Sequence, residues 1–129
     1  ENSNEVFEKL RKEWRNGCIL FEDLRSYASA TGNMPHSLRK VMIASKQMGC
    51  DIYAAFHSWS QVIRQLHTFA DVYVVFDHND IIEPINELKD IYTELENVCD
   101  KVKEKAKESP FFFSFFIRSK TYINDKDGK

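Results

Sequence analysis

"DIYAAFHSWSQVIRQLHTFADVYVVF" runs from Asp51 to Phe76. Its residues Ile52, Ala55, Trp59, Val62, Leu66, Phe69, Tyr73 and Phe76 recur at alternating steps of three and four. That is the spacing of one face of a helix. The same series reaches back through Met48, Ser45, Val41 and Leu38 to Met34. A second series holds Phe7, Leu10, Trp14, Gly17, Phe21, Leu24, Ala28 and Thr31. A third holds Ile81, Ile85, Leu88, Tyr92, Leu95, Cys99, Val102 and Ala106. A seven-residue repeat sustained this far predicts long helices with one buried seam. Trp, Tyr and Phe are bulky for a thin two-stranded coil, so a broader helical bundle is the expected fold class, all-α.

The breaks in register place the bends. "TGNMP" supplies Gly32 and Pro35, and proline inside a helix removes a hydrogen bond. A bent first helix is predicted from about Glu5 to Met48, with a turn or loose crossing beginning near Gly49. A second long helix is predicted from about Ser58 to Glu108, kinked near Asn79-Asp80 and Pro84. Fifty residues of helix would reach roughly 75 Å. Helices of that length need cover from outside the monomer, most simply a second copy.

Composition narrows the class further. The 129 residues are 43% hydrophobic and 29% charged, which is ordinary for one folded domain. Four Gly and three Pro leave little punctuation. The formal charge is −2, but Lys101 to Lys120 holds six basic and two acidic residues, a local +4. Cys18, Cys50 and Cys99 are odd in number and lack CxxC spacing, which points to a reducing compartment. No amino-terminal stretch resembles a signal peptide. The longest apolar block, Phe111 to Ile117, is far short of the roughly 20 residues needed to span a bilayer.

Two stretches resemble a known family. "VFEKLRKEWRNGCILFEDLRSYASATGNMPHSLRKV" resembles the first helix of amphiphysin-type (bridging integrator, N-BAR) BAR domains. The similar features fall on Phe7-Glu8, on Leu20-Phe21-Glu22-Asp23-Leu24-Arg25, on Tyr27 to Ala30 and on Met34 to Val41. "IIEPINELKDIYTELENVCDKVKEKAKE" resembles the family's second helix, in which an apolar-x-Pro-apolar motif precedes a basic tip. The resemblance spans roughly Asn4 to Glu108. It implies an elongated antiparallel homodimer of bent helices that binds curved, anionic membrane. The implied processes are endocytosis, membrane tubulation or coupling of membrane to actin, at a cytoplasmic, peripheral-membrane location. The third helix of that family is absent, and "SPFFFSFFIRSKTYINDKDGK" does not resemble it. The expected organisation is therefore a partial BAR-like domain over residues 1–109 and a Phe-rich, polar tail over 110–129.

The residues expected to meet lipid are Lys101, Lys103, Lys105, Lys107, Arg118 and Lys120. Each basic side chain near an anionic leaflet contributes about 1 kcal/mol. The competing reading is a solvated distal helix. The seam residues expected to carry folding and dimerisation are Trp14, Phe21, Leu24, Trp59, Leu66, Phe69 and Tyr73. Five of the ten phenylalanines lie between Phe111 and Ile117. Covering the exposed seam is the preferred role for them, ahead of shallow lipid insertion or self-association. A helical protein-interaction module that pairs with BAR proteins is the alternative function.

Several chemistries are not expected. His36, His57, His67 and His78 are spaced by 21, 10 and 11 residues, which sets no two on adjacent turns, so no metal site is predicted. There is no Gly-rich phosphate loop and no nucleophile elbow, so neither an enzyme nor a cofactor is expected. The negative net charge and the lack of a helix-turn-helix or zinc pattern argue against nucleic acid.

Overall fold

The structure, a computed structural model, describes residues 3–28 and 32–118. It overturns the all-α reading. Among the described residues there are three α-helices, four short strands and several turns of 3-10 helix. The longest helix has 15 residues, about 22 Å at 1.5 Å each. The long bent helices of a BAR-like coiled coil are therefore absent. The dimer was inferred from helices too long for one monomer to cover, and that reason goes with them.

The chain divides into two compact units. The first takes in residues 1–57 and 61–69. It begins with helix α1, Ser3–Glu13, in which Glu5 lies in the first turn and Arg11 and Lys12 in the last. Both placements suit the helix dipole. Asn16 then adopts a left-handed φ of 54° and ends the helical path. Strand β1, Cys18–Phe21, follows directly. Helix α2, His36–Ala44, starts after Pro35, whose φ of −58° suits a helix entry. Pro35 thus opens a short helix where a kink in a long one was expected.

Strand β2, Asp51–Ala54, lies parallel to β1, with Cys18 opposite Asp51 and Phe21 opposite Ala54. The ladder continues past both ends: Asp51 N–H donates to Gly17 O at 2.9 Å and Ala55 N–H to Phe21 O at 2.9 Å. The turn into β2 needs Gly49, whose φ is +66° and whose absent Cβ would stand 2.6 Å from Asn16 Oδ1. Phe7, Leu24, Leu38, Val41, Met42, Ile63 and Leu66 form the core of this unit. Buried Ser37 donates to Asn4 Oδ1 at 2.7 Å, tying α2 to α1.

The second unit takes in residues 58–60 and 70–129. Strand β3, Val72–Phe76, pairs antiparallel with β4, Phe113–Ile117. Helix α3, Tyr92–Ala106, packs on this ribbon. Its core is Val75, Ile82, Leu88, Ile91, Leu95, Cys99, Val102 and Phe116. Pro84 sits in an irregular stretch and Pro110 in the turn before β4, so neither interrupts a helix.

The phenylalanine run is therefore a strand. Phe116 is buried and Phe112 packs against the core, whereas Phe111, Phe113 and Phe115 are exposed. Phe116 and Phe112 reach the core through ribbon pairing, and there is no long helical seam among the described residues for the run to cover. Of the supposed tail, residues 110–118 belong to the second unit; 119–129 lie outside the described residues.

The seam residues also redistribute. Leu24 and Leu66 are in the first core, with Phe21 and Phe69 packed against it. Trp59 and Tyr73 pack against the second core. Trp14 is half-buried beside Gly17 and lies in neither core. No single stripe unites the seven.

Candidate functional site

Parallel strands place their carboxyl ends at the same edge of a sheet. In open α/β sheets ligands bind outside that edge. Here the carboxyl end of β1 runs directly into Glu22 and Asp23, and that of β2 into Ala55, Phe56 and His57. A cavity of about 180 Å³ lies between them, lined by Glu22, Asp23, Arg25, Ala55, Phe56, His57 and Gln61. All seven belong to the first unit.

The wall on the β1 side is acidic. Asp23 precedes the 3-10 turn Leu24–Tyr27 but makes no side-chain capping bond to it. Neither Glu22 nor Asp23 has a side-chain hydrogen bond or ion pair among the described residues. Two neighbouring carboxylates without internal partners are available to a cation. The wall on the β2 side is neutral and is set by one local bond: His57 N–H donates to Gln61 Oε1 at 3.3 Å. Arg25 supplies the remaining charge, its guanidinium lying 3.0 Å from where a Cβ on Gly32 would stand.

The described lysines expected to meet lipid fall on α3 and its end. Lys101, Lys103, Lys105 and Lys107 are exposed along α3 and its end, and Val102 between them is buried in the second core. Lys107 pairs with Glu104 at 3.0 Å on the surface, an arrangement that contributes little to stability. Arg118 is structural. Its guanidinium donates to Glu87 O at 3.1 Å, to Ala70 O at 3.4 Å and to Asp90 Oδ1 at 3.2 Å. Its backbone N–H bonds Asp71 O. Lys120 lies outside the described residues.

No described helix is long and apolar enough to cross a membrane. No group of three or more His, Cys, Asp or Glu among the described residues is placed to hold a metal ion by itself. Of the four histidines, His57 lines the cavity, His67 is buried, His36 opens α2, and His78 bonds Trp59.

The three thiols differ sharply in setting. Cys18 is exposed, whereas Cys50 and Cys99 are buried. Burial pushes the Cys99 thiol up to about 11, with Asp100 nearby adding to the effect. At pH 8 its thiolate is therefore scarce, on the order of one molecule in a thousand, and the thiolate is the reacting form. A chromogenic disulfide added to the native protein at pH 8 is expected to titrate one thiol quickly. The other two should follow at least about a hundredfold more slowly, and together once urea is added. Three thiols reacting at one rate in the native protein would contradict the burial of Cys50 and Cys99.

The residues that meet at the cavity were in view in the sequence as part of "LFEDLR" and "AAFHS" but were assigned to helices and to a crossing. The signal that singles them out is an acidic pair closing a four-residue apolar run. Comparison of the chain with family models, with curated proteins and with solved structures finds no match.

Proposed function

We propose that the first unit supplies the metal-and-water side of a nucleoside-triphosphate site. One observation carries this reading: an unpartnered acidic pair, Glu22-Asp23, closes the first strand of a parallel β-α-β unit and faces a cavity. In phosphate-transferring α/β proteins, an acidic residue at the end of an apolar strand holds the magnesium ion. Magnesium needs one or two protein carboxylates, with the remaining positions filled by phosphate oxygens and water. Two partnerless carboxylates fit that requirement, and a three-ligand protein cluster is not needed.

When bound, the ion neutralises charge on the phosphates. Within this reading Glu22 would hold the ion, one carboxylate being enough for magnesium, which leaves Asp23 to accept a proton. A water oxygen attacks the terminal phosphorus, the bond from that phosphorus to the bridging oxygen breaks, and the water proton passes to Asp23. The products are a nucleoside diphosphate and inorganic phosphate. Gln61 and His57 stand across the cavity, where an amide and an imidazole can position the attacking water.

The glycine-rich loop that grips phosphates in such sites is not among these 129 residues. Among the described residues β1 and β2 have one strand partner each. Leu20 and Tyr53, on one face of this sheet, are 56% and 57% exposed. Parallel sheets are ordinarily covered on both faces.

The long bent helices that the BAR resemblance implied are not among the described residues, and the lysines of α3 remain exposed.

The test uses isotope-labelled protein with millimolar ATP and substoichiometric Mn²⁺ as a paramagnetic stand-in for magnesium. Amide signals of residues 22–25 and 55–57 are expected to broaden first. The double variant Glu22→Gln, Asp23→Asn keeps the shapes and removes both charges. It should lose at least about tenfold in Mn²⁺–ATP affinity with its spectrum otherwise intact. Equal broadening in the variant, or broadening centred elsewhere, would remove the site.

A further inference from the structure

A different pair of bonds, in the second unit, fixes the protonation state of one histidine. Trp59 Nε1 lies 2.8 Å from His78 Nε2. An indole N–H can only donate, so Nε2 of His78 is the acceptor and carries no proton. His78 Nδ1 lies 2.8 Å from Phe76 O. A carbonyl can only accept, so Nδ1 carries the proton. The two bonds together require the neutral, Nδ1-protonated ring. Protonating Nε2 would set two N–H groups against each other and break the bond to Trp59.

The neighbouring bond points the same way. Ser60 N–H donates to Asp80 Oδ2 at 2.9 Å, while Asp80 Oδ1 is buried with no partner. The segment 58–60 is thus held to the loop after β3 at two places, through Trp59 to His78 and through Ser60 to Asp80. An imidazolium that has lost Trp59 finds, two residues along its own loop, a carboxylate oxygen with an unfilled bond.

We propose that His78 is a pH-operated latch on residues 58–60: neutral, it accepts from Trp59; protonated, it releases Trp59 and turns to Asp80. The groups around it are consistent with two states. Asp77 and Asp80 share its loop. Cys99 of α3 and Tyr73 of β3, which face Trp59, stay uncharged, since burial pushes their groups up to about 11 and about 12. The latch is closed while the ring is neutral, as the two bonds require, and opens when Nε2 takes a proton. It stands independently of the nucleotide reading.

The experiment follows the Trp59 indole N–H by NMR between about pH 8 and pH 5, where histidines change charge. A Trp14→Phe variant assigns the signal. Three results are expected. At pH 8 the ring nitrogens of His78 should show the Nδ1-protonated tautomer. On acidification the Trp59 indole signal should move, as its hydrogen bond to His78 is lost. Asp80→Asn should lower the midpoint by on the order of one pH unit, because the imidazolium loses a charged partner.

His78→Phe should leave the Trp59 indole signal indifferent to pH over the same range. An Nε2-protonated ring at pH 8, or a Trp59 signal indifferent to pH in the unaltered protein, would overturn the proposal. The tautomer and the titration are read on the unaltered chain, so they decide the matter even if His78→Phe fails to fold.

Discussion

Ending the chain after Ser109 is expected to unfold the second unit. The cut removes β4, and with it all five residue pairs from Val72–Ile117 to Phe76–Phe113. It also removes Phe116, which fills the core, and Phe112, which packs against it. Burying a Phe contributes about 1.5–3 kcal/mol. Arg118 goes too, leaving Glu87 O, Ala70 O and the Asp90 carboxylate without their donor. Charged hydrogen bonds of this kind contribute about 1.5–3 kcal/mol each when shielded, and less at the exposed Asp90. The total lost is about 5 kcal/mol or more. A unit of about 60 residues has only about 3–9 kcal/mol to lose.

The measurable outcome is collapse of amide protection over α3, together with binding of a hydrophobic dye by the uncovered residues Leu95, Cys99 and Val102. The first unit should keep its dispersed signals, since its core residues all precede Ala70. A truncated chain in which Leu95 and Val102 keep their protection would show that the ribbon is an ornament on α3 and no part of its support.

This outcome bears on why the fold was only partly legible in sequence. The three-four spacing from Met34 to Phe76 treats Tyr73 and Phe76 as neighbours on one face. In β3 they lie on opposite faces, with Phe76 58% exposed and Val75 buried between them. A strand of aromatic and β-branched residues satisfies a helical count wherever every position is apolar, because any step then lands on an apolar residue. "VYVVF" is such a run, and its β-branched content argues for strand. "CILF" is another, bounded by Gly17 and by Glu22-Asp23. Short apolar runs between turn residues are ambiguous by periodicity, and length decides between strand and helix. Here four- and five-residue runs were absorbed into a fifty-residue pattern.

What was legible is the set of apolar positions. Leu24, Leu38, Val41, Leu66, Leu88, Leu95, Cys99 and Val102 all belong to one core or the other. Burial follows hydrophobicity whichever element carries it. Which residues meet is a different matter. Glu22-Asp23 and His57 are more than thirty positions apart, and only the parallel register of β1 on β2 brings them to one cavity. Periodicity along a chain has no means of announcing that pairing.

The first unit depends most on a single ring. Phe7 is 1% exposed and meets Phe21 and Tyr27 edge to face, at centroid distances of 6.0 and 5.5 Å. It thus joins α1 to β1 and to the turn after it. Phe7→Ala should cost about 3–5 kcal/mol, from lost transfer energy and the cavity left behind. Edge-to-face pairs add roughly 0.5–1.5 kcal/mol beyond burial. The measured result should be a fall of that size in the urea stability of the first unit. Phe111→Ala is the control, since Phe111 is 89% exposed and its truncation should stay within about 0.5 kcal/mol. Because β1 carries Glu22 and Asp23 at its end, Phe7→Ala should also weaken Mn²⁺–ATP binding, in proportion to the fraction unfolded. Loss of binding while the unit remains folded would mean that Phe7 sets the angle at which the carboxylates leave the strand. Unchanged stability would mean that α1 does not pack on β1 as described, and that the acidic pair is supported from elsewhere.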